Sequence, residues 1–316
     1  MKLIFLIILL ISLGLIAVEI GLRSLFGFGN PLIYIGDEEI GYLLAPNQRT
    51  RRFGNRIDIN EYSMRSGSVA KTPAPTSRRV LLLGDSIVNG GWWTDQKNTI
   101  SSLLTLSLSS STHDNFQQVE VLNASANSWG PRNQLAYLQR FGSFQSQVVV
   151  LVINTDDLFA TAPTSLPVGR DRNYPDKKPP LALIEVWQRY LKKEPPNPEL
   201  AAVQKEGGDR VGINLDTISK IAEFTRQNNS KFLLVMTPLL RELGEPGPRD
   251  YEIKARQRLK DFTQSQQITY IDFLPIFNAT GDFKALYQDH IHLNLQGNQV
   301  VSQELERSLL PLLQKS

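Results

Sequence analysis

The sequence predicts an α/β protein with a parallel sheet covered on both faces, preceded by an N-terminal membrane helix. Three observations carry this reading: short unbroken apolar runs, helical spacing in the segments between them, and a strongly apolar N-terminus. From Leu3 to Val18 the chain is apolar except for Ser12 and Gly14, with Lys2 before it and Glu19 and Arg23 after it. Such a run belongs in a membrane. It is short for a spanning helix of ~20 residues and long for a signal-peptide core of ~7 to 15. "GLIAVEIG" offers Ala17 without a small partner two positions away, so residues 1–23 read as an uncleaved anchor. The body is assigned to the extracytoplasmic side, periplasmic or cell-surface; a cleaved signal and a secreted body is the alternative.

Residues 24–78 are rich in Gly, Pro, Arg and Ser and read as an ordered, largely irregular extension ending in the linker "KTPAPTSRR". From Arg79 the pattern changes, and residues 79–316 read as the main domain. The runs "VLLLG" (80–84), "VEVLN" (119–123), "VVVLVIN" (148–154), "KFLLVM" (231–236) and "ITYIDF" (268–273) are the strands. Strands buried on both faces of a sheet have this continuous apolar character. Between them lie helical spacings, such as Leu215, Ile218, Ile221 and Ala222, and then Val301, Leu305, Leu309 and Leu312 in the last helix. Alternating strands and helices imply a parallel sheet. Residues 161–211 interrupt the alternation with an insertion dense in Pro, Lys and Asp around one amphipathic helix at about 182–192. Trp187 and Tyr190 favour an ordered lid over the site.

Composition narrows the chemistry. A formal charge of +3 from nearly balanced acids and bases requires no nucleic-acid partner. There is no cysteine, which removes disulfides and thiolate nucleophiles. Histidine chemistry has few candidates: His113, His290 and His292. No G-x-G-x-x-G follows a strand, so a dinucleotide site is excluded.

The first core strand ends in Gly-Asp-Ser, which delivers Ser86 to the carboxyl end of the sheet, where sites in such folds collect. Alone, a serine there is a helix N-cap, and Asp85 is a turn brace. A serine nucleophile needs a base within hydrogen-bond reach, itself oriented by a third group. Asp289 and His292, in "DHIHLNLQG", sit three apart on one loop before the last helix, whose N-cap is read as Asn294. His290 is read as a surface or packing residue, His113 as a loop histidine, and Trp92-Trp93 as a cover for the sheet edge.

"GDS" after the first strand, "NASANSWG" after the second, "NTDD" after the third and "DHIH" before the last helix resemble the four blocks of the SGNH/GDSL hydrolase superfamily. The resemblance covers roughly residues 79–312 and implies a three-layer flavodoxin-like fold and ester hydrolysis through an acyl-enzyme, with no cofactor and no metal. It implies Ser86 as nucleophile, His292 as general base and acid, and Asp289 as orienter. It also implies an oxyanion hole from Ser86, Ser128 and Asp156, with Gly130 and Asn154 as alternatives. Two positions depart from the family pattern. Ser128 stands where the family has glycine, and Asp156 stands where it has an asparagine donor, although an ionised carboxylate only accepts.

The expected function is cleavage of acyl esters on a cell-surface glycan or lipid. O-acyl transfer on the same triad, or a catalytically weak glycan-binding role, are the alternatives. A metal hydrolase built on Asp156, Asp157, Asp289, His290 and His292 is disfavoured, given so few histidines beside a well-placed serine.

Overall fold

The apolar N-terminus forms helix α1 (Lys2–Gly21), which continues through a π-helical turn to Phe26. This is longer than the apolar run because Glu19 and Arg23 pair across one turn at 2.6 Å and do not break the helix. No part of its apolar stretch is buried. The computed structural model describes residues 1–111 and 118–314, so His113 lies outside the described residues.

The extension is more regular than expected. Strands β1 (Tyr34–Asp37) and β2 (Gly41–Leu44) form one antiparallel hairpin, and β3 (Gln48–Arg52) and β4 (Asn55–Ile59) another. Strands this short carry too few alternations for a period-two pattern to register. Tyr34, Ile40, Leu44, Ile57 and Met64 from this region are buried in the same cluster as Leu81, Leu151 and Ile153 of the main sheet. The extension therefore completes the core.

The main domain then runs β5 (Ser77–Gly84), α2 (Ser86–Asn89), α3 (Ile100–Ser111), β6 (Gln118–Ser125), α4 (Pro131–Phe141) and β7 (Val148–Asn154). The insertion follows with α5 (Ala182–Val186), extended to Leu191 by a π-helical turn, and α6 (Pro198–Gln204). The chain closes with α7 (Arg210–Gln227), β8 (Lys231–Thr237), α8 (Asp250–Ser265), β9 (Thr269–Asp272), α9 (Phe273–Asn278) and α10 (Leu295–Gln314). The five-stranded sheet has the order β6-β5-β7-β8-β9 and is parallel throughout.

Burial alternates even along strands that are wholly apolar. Leu81, Leu83, Val149 and Leu151 face the layer of α4, α7 and α8, while Val80, Leu82, Val150 and Val152 face α3, α9 and α10. This gives the three-layer α/β architecture. Because β6 lies on one side of β5 and β7 on the other, the strand order reverses at β5. Loops diverge at such a switch point and open a crevice at the carboxyl ends of the strands.

Candidate active site

Ser86 stands in that crevice. Asp85 caps α2, its Oδ1 accepting the Ile87 amide at 2.8 Å, and Gly90 in the left-handed region (φ 75°) closes the helix after one turn. The strand-to-helix turn is tight: a Cβ at Gly84 would lie 2.3 Å from Val88 Cγ2. Asp85 is also held from behind, its Oδ2 accepting from Asn154 Nδ2 at 2.8 Å. Burial pushes its carboxyl up to about 6, and burial beside Asp85 raises Asp157 as well.

The loop before α10 brings His292 to the serine. His292 Nε2 lies 2.9 Å from Ser86 Oγ, and His292 Nδ1 lies 2.7 Å from Asp289 Oδ2. Asp289 Oδ1 accepts the amides of Ile291 and His292 at 2.9 and 2.8 Å, so the carboxylate folds its own loop while it holds the ring. Partial burial alone would raise Asp289, but the His292 ring and these amides hold it below the ordinary carboxylate value. Asn294 caps α10 through the Gly297 amide at 3.1 Å and pins the loop through the carbonyls of Ala285 and Tyr287. His290 makes no hydrogen bond to Ser86 among the described residues; its side chain is 86% exposed, with Nδ1 3.9 Å from Asp289 Oδ1, and it stands at the rim of the cleft. Trp93 packs on His292 with ring centroids 4.2 Å apart, so it belongs to this site and does not merely cover a sheet edge.

The five oxyanion candidates separate. Ser128 adopts φ 58°, the left-handed region that glycine enters freely, which explains why a glycine suits the position. Its hydroxyl accepts from Tyr174 of the insertion at 2.9 Å. Among the described residues, the amides of Ser86 and Ser128 have no acceptor, and both residues line the cleft. Gly130 is committed elsewhere, and Asn154 is committed in part, with one Nδ2 hydrogen used and the residue still lining the cleft. The Gly130 amide is given to Asn133 Oδ1 at 3.0 Å as α4 begins, and the Asn154 side chain braces Asp85 and the Asp156 amide. Asp156 lines the cleft with Ser86 and Ser128, and nothing among the described residues donates to its carboxylate. Partial desolvation raises it above the ordinary value, against the pull of Arg241.

Residues 82–300 match the family model described as GDSL-like lipase/acylhydrolase. The chain belongs to this family. It is thus a carboxylic ester hydrolase of the SGNH type. An α/β hydrolase from the metagenome of Lake Arreo, Spain, is 13% identical over 75% of this chain and 96% of its own, with a TM-score of 0.50. A variant of an acetyl-xylooligosaccharide esterase from Geobacillus stearothermophilus is 15% identical over 76% and 97%, also at 0.50. At these identities the likeness is one of fold. No curated protein matches the chain.

In this acylhydrolase Ser86 and His292 sit between two cavities. One, of about 280 Å³, is walled by Tyr34, Arg52, Trp92, Trp93, Tyr174 and Arg189. The other, of about 660 Å³, is walled by Asn133, Asp156, Thr161, Thr164, Gln204 and Arg210, among others. Ser128 and Tyr174 line both. Arg52, Tyr174 and Arg189 had no sequence signal, because the extension and the insertion meet the sheet only in three dimensions. Trp93 had one, its proximity to Ser86 in the chain.

Buried Arg65 sets the wall that carries the tryptophans. Its Nη1 donates to the carbonyls of Asn89 and Gly91 at 2.5 Å each, and its Nη2 to that of Thr94. Burial lowers its guanidinium to about 9.

Proposed function

We propose that the acylhydrolase cleaves carboxylic esters through an acyl-enzyme on Ser86, acting on acyl groups carried by a glycan or lipid at the extracytoplasmic surface to which α1 anchors it. His292 Nε2 takes the Ser86 proton as Oγ attacks the ester carbonyl, while Asp289 keeps the other ring nitrogen protonated and the ring in place. The amides of Ser86 and Ser128 stabilise the oxyanion. His292 returns the proton to the departing alkoxide, and water then repeats the sequence on the acyl-serine. Asp156 serves as the third donor in its protonated form, and its raised carboxyl supports that role. The cycle uses no metal or organic cofactor.

The observation that carries this reading is the continuous Ser86–His292–Asp289 chain at 2.9 and 2.7 Å. A second reading, acyl transfer to a hydroxyl acceptor, draws support from the 660 Å³ cavity, whose wall includes the hydrogen-bonding side chains of Asn133, Thr161, Thr164 and Gln204. It gives an acceptor its own route to Ser86 beside the aromatic one.

The test is burst release of p-nitrophenol from short-chain esters by the full chain in detergent, with intact-mass detection of the acyl adduct. A burst and adduct that vanish in Ser86→Ala are expected. An equal burst in Ser86→Ala removes Ser86 as nucleophile. An adduct that turns over only when a sugar is added moves the assignment to transfer.

A further inference from the structure

We propose that the body docks on the membrane surface through an aromatic collar around the end of α1, so that the aromatic pocket beside Ser86 opens at the lipid–water interface. The inference rests on reading α1 as a retained membrane span.

Among the exposed large apolar side chains beyond α1, one group gathers at the end of that helix, apart from single residues such as Leu106, Ile253 and Leu295 on other elements. Phe26, at its end, is 5.9 Å from Phe53, and Phe53 is 5.2 Å from Trp92, all three substantially exposed. Leu181, Trp187 and Tyr190 of the insertion are exposed too, and Tyr190 reaches the same cluster through Phe28 at 6.2 Å. Exposed apolar surface gathered in one place marks an interaction site. Aromatic rings at the end of a span suit the headgroup level, where one side is apolar and the other wet.

Polar contacts fix this collar to the helix. The Glu19 carboxylate accepts the amides of Ala182 and Leu183 at 2.8 and 3.0 Å, capping the start of α5, and Arg23 donates to the Pro180 carbonyl at 2.9 Å. The insertion therefore cannot swing away from α1 without losing these bonds. Its exposed Lys177, Lys178, Lys192 and Lys193 form no ion pair among the described residues, Lys192 lying over the Trp187 ring at 5.8 Å, which leaves their charges for anionic headgroups.

The same ring chain ends at the site. Trp92 meets Trp93 at 5.7 Å, and Trp93 meets His292 at 4.2 Å. The rim of the aromatic pocket is thus part of the collar, and an ester held in the interface enters beside Ser86 without crossing bulk water.

The protein supplies its own probes. Trp92 and Trp187 lie in the collar, whereas Trp129 is buried in the core. The experiment reconstitutes full-length variants that keep only Trp187, only Trp92 or only Trp129 into phosphatidylcholine–phosphatidylglycerol vesicles. The lipids carry bromine near the headgroup end of their acyl chains. The expected result is loss of Trp187 and Trp92 emission with Trp129 emission unchanged, and a parent-like far-ultraviolet circular dichroism spectrum with a cooperative thermal melt confirms that each variant is folded, since all of them lack Trp93 at the site. Vesicle flotation without quenching of either collar tryptophan overturns the docking and leaves the anchor standing. Protein that fails to float with the vesicles overturns the anchor and the docking together.

Discussion

The sheet body and the segments laid across it are held together by different forces. In the body, Leu81, Leu83, Val150, Leu151 and Ile153 are wholly buried, and the strands pair in unbroken parallel register. In the overlying layer, buried Arg52 pairs with Glu185, which also accepts the Gly29 amide at 2.6 Å, and Arg65 satisfies loop carbonyls. Burial by area is tolerant of detail, whereas a buried ion pair depends on its geometry. The proposed catalytic serine hangs from the first kind of structure, and most of the aromatic pocket wall from the second. Chemistry and substrate fit are therefore separable by mutation.

The largest break in that comparison comes from the body. Ser86→Ala and His292→Ala should each lower kcat/KM by at least about 10⁴-fold, as for other serine triads. Thermal midpoints within error of the parent would show that only chemistry was lost. Next comes Asp156→Asn, which installs a permanent donor beside the oxyanion and should raise kcat by up to about 10²-fold at neutral pH. It also sharpens the role of protonation. The parent rate should fall as pH rises through the raised Asp156 carboxyl value, and the Asn variant should lack that fall. A pH–rate profile unchanged by the substitution would remove Asp156 from the oxyanion hole.

The overlying layer breaks differently. Glu185→Gln leaves the Arg52 cation buried without its counter-charge, a change that typically costs about 3 kcal/mol. Urea titration should show the loss, and KM for an aryl ester should rise while the burst at Ser86 survives. Loss of burst and fold together would mean that the two layers are one cooperative unit.

The smallest expected effect concerns pH. Asp85 is raised to about 6, so its contribution to stability is present when it is protonated and lost as pH rises through about 6; burial raises Asp157 too, and it acts in the same direction. Asp289, held low, acts in the opposite direction only below the ordinary carboxylate range. Acidification from neutrality to about pH 5 should raise Tm by ~2–4 °C for each 1 kcal/mol recovered. A flat or falling Tm across that window would show that Asp85 is solvated in the native state.

Much of the body was legible because its signals are local. The five strands announce themselves as continuous apolar runs, and Ser86 follows the first of them at a tight turn. Asp289 and His292 are three residues apart, a spacing that one loop can turn into a hydrogen bond. The hairpins of the extension escaped because each strand has only four or five residues. Trp93 was visible as an aromatic near Ser86, but its contact with His292 depends on a loop almost two hundred residues later in the chain.

By itself, then, the sequence determined the alternation of elements, the apolar N-terminal segment and the residues able to form a nucleophile–base–acid chain, since all of these follow from periodicity and side-chain chemistry. Only the tertiary structure decided that Asn154 braces Asp85 from a neighbouring strand, and that Arg52, Tyr174 and Arg189 wall a pocket with Trp93. The first depends on the pairing of β5 with β7, and the second on long-range packing of the extension and insertion against the sheet. No local pattern encodes contacts between segments more than a hundred residues apart.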